Sequence, residues 1–177
     1  LAKGKQMQSL PPSHEIDARY TGRVFQIMED CADDRAEGWT KLGMIVNQAT
    51  DGPGAFTYIS VEWKGKKYDN WFPEASLRAL TNILDDWQQE LTADGFQNWT
   101  SMFFGAVPQA DGNIRTIWLP EYAPDGGRWK FVPGVPNWPK VEAELDRLVA
   151  RAQGERSDLD PHLHSRRLTH AKPSPIP

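Results

Sequence analysis

PEASLRALTNILDDWQQELTADG, residues 73–95, is a helix written in apolar spacing: Leu77, Leu80, Leu84, Trp87 and Leu91 recur every three or four positions and line one side of a 3.6-residue spiral. Pro73 suits a first helical turn, Glu74 suits an end rich in unpaired N–H groups, and Gly95 suits an exit in the left-handed region. Burying five such side chains at ~1.5–3 kcal/mol each gives roughly 7–15 kcal/mol before entropy is subtracted, against about 1 kcal/mol for a cap. Packing against something flat therefore decides whether the helix exists, and the sequence on either side supplies strands.

Upstream, the period falls to two. Leu42, Met44 and Val46 share a face, Asp51-Gly52-Pro53-Gly54 turns the chain, and Thr57, Ile59, Val61 and Trp63 alternate with Tyr58, Ser60 and Glu62. Lys64-Gly65-Lys66 reads as a tight turn into a short third strand, Lys67 to Phe72. Downstream, Trp99 to Val107 and Asn113 to Tyr122 form a second hairpin, and Pro120 there favours an edge or a strand end. Arg128 to Val132 reads as a sixth strand. Before all of these, Ser13 caps a helix carrying Ile16, Tyr20, Val24, Ile27, Met28 and Cys31 to about Ala36, with Gly38 as terminator. After them, a helix from Asn137 to about Gln153 buries Val141, Leu145, Leu148 and Val149.

The order predicts an α+β domain over 14–153: an antiparallel sheet of five or six strands, the 73–94 helix packed on one face and the terminal helices flanking it. Residues 1–13 read as a flexible segment and 154–177 as a flexible, proline-rich tail. With 177 residues and 39% apolar content, one core is the expectation. The start at Leu1 suggests a partial N-terminus or a larger parent chain.

Chemistry is sparse. Cys31 is the single cysteine, so no internal disulfide or thiolate cluster can form; its helical spacing makes it a small buried hydrophobe and a reducing cytoplasm the expected location. No apolar run approaches the roughly 20 residues that cross a bilayer, so no membrane partner is expected. His162, His164 and His170 fall in the tail and His14 at a helix start, which reads against an acid-base or metal centre. Asp51-Gly52-Pro53-Gly54 lacks the lysine and following helix of a phosphate loop. No cofactor and no catalytic residue is assigned; an enzyme would require a pocket in which two carboxylates approach each other beneath the sheet edge.

Charge is the remaining clue. Residues 14–155 carry 22 carboxylates against 14 lysines and arginines, a net −8, while both tails are mildly basic. Glu29, Asp30, Asp33, Asp34 and Glu37 crowd the end of the first helix, relieved by Arg35 alone. Carboxylates there oppose the helix dipole at ~0.3–1 kcal/mol each. A solvated face accounts for them, and so does a docking patch for a basic protein; the acidic body repels duplex nucleic acid. A second reading, a single-stranded nucleic-acid module, would stack bases on Tyr58, Trp63 and Phe103 and grip phosphates with Lys64, Lys66 and Lys67.

Gly38-Trp39-Thr40-Lys41 opening a strand pair, the Pro73 helix with Trp87, and Trp99-Thr100-Ser101 opening a second pair around Asp111-Gly112 together resemble the YezG-like immunity proteins of bacterial toxin systems. The resemblance covers residues 39 to 122 or so; the loop, helix and tail that follow depart from the compact family form. It implies a small cytoplasmic α+β protein that neutralises a cognate toxin, commonly a nuclease, by binding it.

Overall fold

The computed structural model describes residues 13–49, 54–69, 72–136, 138–154 and 163–167. The expected Asp51-Gly52-Pro53 turn, the Asn137 helix start, residues 1–12 and most of 154–177 lie outside these. Along the chain run α1 (His14–Arg35), β1 (Lys41–Gln48), β2 (Ala55–Trp63), β3 (Lys66–Asp69), α2 (Glu74–Ala93), β4 (Ser101–Pro108), β5 (Asn113–Glu121), a short 3-10 turn (Gly127–Trp129), α3 (Trp138–Gly154) and β6 (Leu163–Arg167). The strands form one antiparallel sheet in the order β3-β2-β1-β4-β5, with β6 beside β5. The protein is thus an α+β domain whose two hairpins meet at β1 and β4, in register from Leu42↔Ala106 to Asn47↔Ser101.

Helix α2 ends as its sequence demands. Gly95 takes φ 77°, its N–H donates to the Thr92 carbonyl (3.1 Å) and the Phe96 N–H reaches the Leu91 carbonyl (2.9 Å), a Schellman closure. Leu80, Leu84, Trp87 and Leu91 are buried against the sheet; Leu77 is half-buried at the margin. Helix α1 lies beside α2 on this face, over Leu42, Met44, Val46, Phe104 and Trp118. The β2–β3 turn places Lys64 at φ 51° and Gly65 at φ 72°, the two-residue turn whose twist suits a hairpin.

Helix α3 occupies the opposite face, where Val141, Leu145 and Leu148 pack on Ile45, Phe103, Val107 and Ile117. The terminal helices therefore sit on different sides of the sheet, giving three layers. Two glycines open room for α3: Gly43 and Gly105 are cross-strand partners, and a Cβ on Gly43 would stand 2.4 Å from Val141 Cγ1.

Arg128 to Val132 is not a strand. Gly126 and Gly127 take positive φ (94° and 56°) and wind the chain into the 3-10 turn, which drops Trp129 onto Phe103, ring centroids 4.9 Å apart. Asn47 then bridges sheet and turn: its Nδ2 donates to the Trp129 carbonyl and its Oδ1 accepts the Phe131 N–H, both at 3.0 Å. A side-chain amide thereby takes up the backbone groups that a neighbouring strand would have paired. Within the stretch read as a tail, residues 163–167 form β6, pairing from Asn113↔Arg167 to Ile117↔Leu163.

Candidate functional site

The acidic end of α1 is built by its exit. The Ala36 N–H closes the last turn on the Ala32 carbonyl (2.8 Å), and Gly38 at φ 84° reverses the chain into Trp39. Five carboxylates share this region in sequence, but the helix sorts them. Glu29 follows Phe25 by one turn and is only 6% exposed, so it has no surface to offer a partner. Asp33 accepts the Trp39 indole N–H at 2.9 Å, tying helix end to strand start. Asp30 is exposed and accepts Gln26 Nε2 at 2.8 Å. Asp34 and Glu37 face solvent.

An aromatic pair adjoins them. The Trp63 indole N–H donates to the Glu37 carbonyl at 2.7 Å, and Tyr68, 38% exposed, leans on Trp63 with ring centroids 6.0 Å apart. Half-exposed aromatic surface thus continues directly from the acidic helix end. Lys64 Nζ hovers 4.5 Å from the Trp63 centroid, so a cationic side chain already samples this ring face.

The stacking surface of the nucleic-acid reading is not assembled. Tyr58 and Phe103 belong to the α3 face of the sheet and Trp63 to the other. Phe103 is wholly buried beneath Trp129, and Tyr58 stacks on Phe131 at 4.9 Å. Lys67 is engaged by Glu142 (2.8 Å) and lies over the Trp138 ring.

A pocket of about 500 Å³ opens where β5 ends, between the start of α1 and the 3-10 turn. Asp17, 3% exposed, lies in its wall; Oδ2 accepts the Ser13 hydroxyl (3.0 Å) and Oδ1 the Trp87 indole N–H (2.9 Å). Glu121, Tyr122 and Phe96 complete the mouth. Burial first, then the charge of Asp17, pushes the Tyr122 phenol above its ordinary value. Two carboxylates, Asp17 and Glu121, therefore line one pocket, part of what the enzyme reading requires, while both oxygens of Asp17 are held by Ser13 and Trp87. His14 stacks on Trp118 at 5.7 Å, and the Cys31 thiol is buried, with burial raising its pKa. Among the described residues no three metal-ligating side chains converge, and no helix is long and apolar enough to cross a membrane. Sequence reasoning passed over Asp17 because its partner Trp87 lies on another helix; the one local signal was its place on the buried side of α1, one residue after Ile16.

Compared with known proteins, the chain matches no protein-family model and no curated protein.

Proposed function

We propose that the protein is a non-catalytic binding protein of the immunity type, which neutralises a basic toxin domain in the cytoplasm by direct contact. The observation that carries this reading is the continuity of exposed carboxylates with an aromatic anchor: Asp34 and Glu37 at the end of α1, and Trp63 hydrogen-bonded to the Glu37 backbone with Tyr68 against it. Opposite charge steers a cationic partner toward the −8 body, and aromatic contact slows its departure. The resemblance to YezG-like immunity proteins points the same way. Glu29, which is buried, and Asp33, which holds the Trp39 indole, drop out of the patch, leaving Asp30, Asp34 and Glu37 with the aromatic pair.

The test uses the protein encoded by the gene next to this one. Converting Asp34 and Glu37 to lysine should slow association about tenfold at low salt and flatten its salt dependence, while Tyr68→Ala should act on the dissociation rate. If the neighbouring protein is neither bound nor detoxified, or if the double reversal leaves the association rate and its salt slope unchanged, the reading is wrong.

A further inference from the structure

We propose that the apolar turn from Phe131 to Val135, with Phe56 beside it, is a docking surface for an acidic segment of another protein, a peptide whose carboxylates alternate with apolar side chains. The surface lies on the α3 side of the sheet and Trp63 on the other, so it stands apart from the partner face proposed above.

Asn47 and Tyr58 hold the surface together. Phe131 stacks on Tyr58, and its N–H is bound by Asn47, the cross-strand partner of Phe56. Phe56 precedes Tyr58 by two residues on the same face of β2, which sets it next to Phe131. The chain then reverses: the Val135 N–H donates to the Val132 carbonyl at 3.1 Å, and Pro133 with Gly134 at φ 78° follows the pattern of a type II turn. A turn set by proline and glycine has little freedom left to lose, so its two valines are presented ready for contact. Phe56, Val132 and Val135 are 67%, 41% and 48% exposed, three of the four exposed large apolar side chains among the described residues. Helix α3 packs chiefly on β1, β4 and β5, which leaves this corner beside it uncovered by the helix.

Charge selects the occupant. From Gly126 to Val141 the chain carries Arg128, Lys130 and Lys140 and no acidic residue, within a body of net −8. Lys130 and Lys140 are exposed and form no ion pair among the described residues. Lys140 Nζ reaches the Arg128 carbonyl at 3.4 Å, and Arg128 shares the single carboxylate of Glu144 with Arg147, so positive charge continues along this row. Of the carboxylates that bound the run, Glu142 is taken by Lys67 at 2.8 Å and Asp125 accepts the Gly127 N–H at 3.0 Å. Apolar side chains next to uncompensated lysines complement a segment in which carboxylates alternate with apolar groups. An anionic bilayer or a nucleic acid offers the same sign, but each sets a dense array of phosphates against the acidic body and is repelled by it. A short peptide meets the local charge alone.

The test titrates the whole chain with the peptide N-acetyl-Asp-Leu-Glu-Phe-Glu-Leu-Asp-amide, followed by amide NMR shifts up to millimolar peptide. One counterpart replaces its acids with Asn and Gln, another replaces Leu and Phe with Ala. Phosphatidylserine-containing vesicles, a single-stranded oligothymidylate and sedimentation of the protein alone complete the set. Shifts should saturate and centre on Phe56, Phe131, Val132 and Val135, and each counterpart should bind at least about fivefold more weakly. Val132→Ser with Val135→Ser should weaken the peptide about tenfold, and so should Lys130→Glu with Lys140→Glu; all four positions are exposed, and an unchanged spectrum elsewhere shows that the fold persists. Asp34→Lys with Glu37→Lys should leave the peptide affinity unaltered. No saturable shift, shifts centred elsewhere, or equal binding of the uncharged counterpart would overturn the proposal. Binding of the vesicles or the oligonucleotide without the peptide would overturn it too, as would self-association abolished by the valine substitutions, which would assign the surface to a second copy.

Discussion

Replacing Gly43 with alanine tests whether α3 owes its seat to two missing side chains. The new Cβ would lie 2.4 Å from Val141 Cγ1 and 3.6 Å from both Leu145 Cδ1 and Phe103 Cε2, where ordinary contact begins at 3.4 Å. Val141 must therefore yield by about 1 Å, and a β-branched side chain on a packed helix has no free rotamer to use. Overpacking of this kind costs about 1–3 kcal/mol. Removing a strand glycine returns about 0.5–1 kcal/mol through the unfolded chain, so the net loss spans about 0–2.5 kcal/mol, and with Val141 unable to rotate away it should fall at about 1–2 kcal/mol. For a domain of this size that lowers Tm by about 2–8 °C. Urea unfolding followed by tryptophan fluorescence measures it, and Val141→Ala provides the control. Alone, Val141→Ala leaves a cavity and costs roughly 2 kcal/mol. Combined with Gly43→Ala, the incoming methyl fills the vacated space, and the double variant should be at least about 1 kcal/mol more stable than the two losses added. Additivity within about 0.5 kcal/mol, or a stabilised Gly43→Ala, would refute the steric account.

Two further perturbations probe other contacts. Asn47→Ala strands the Trp129 carbonyl and the Phe131 N–H and should cost about 1–3 kcal/mol; amide exchange at Phe131 should quicken, and an unaltered rate would remove the bridge from the account. Glu90 accepts from Arg19 and from Tyr20 (2.6 Å), and these bonds, Arg19 first, hold its carboxyl below the ordinary value. Because the folded value is the lower one, its contribution is complete above the unfolded pKa of about 4.3 and is lost as pH falls through the folded value. Glu90→Gln should therefore flatten the stability profile between about pH 5 and pH 3, and identical slopes would show that the contacts around Glu90 do not couple to folding.

Local periodicity made the elements legible. The seam of α2 repeats every three or four residues and β1 and β2 alternate, so both hairpins and three helices could be placed before any contact was known. Trp129 and Phe131 mimic strand alternation equally well, but the Gly126-Gly127 turn before them and Asn47, more than eighty positions away, hold that segment across the sheet. The glycine pair under α3 was invisible for the same reason: Gly43 and Gly105 meet only through the β1–β4 register. At the acidic helix end, sequence gave the density of charge but not its sorting. Glu29 could have been set aside, since it follows Phe25 on the buried side of α1. The pocket of Asp17 needed the packing of α1 against α2, through Trp87, to come into view.

The lysines of the β2–β3 hairpin carry a consequence for behaviour at high concentration. Among the described residues β3 is the outer strand at one margin of the sheet, four residues long and exposed throughout, and Lys66 and Lys67 belong to it. Any second molecule attempting to lengthen the sheet there meets a short template, the Lys66 ammonium, which would have to shed water, and the Lys67–Glu142 ion pair beside it. Those charges act as gatekeepers against fibrous self-association, a role that asks nothing of a phosphate.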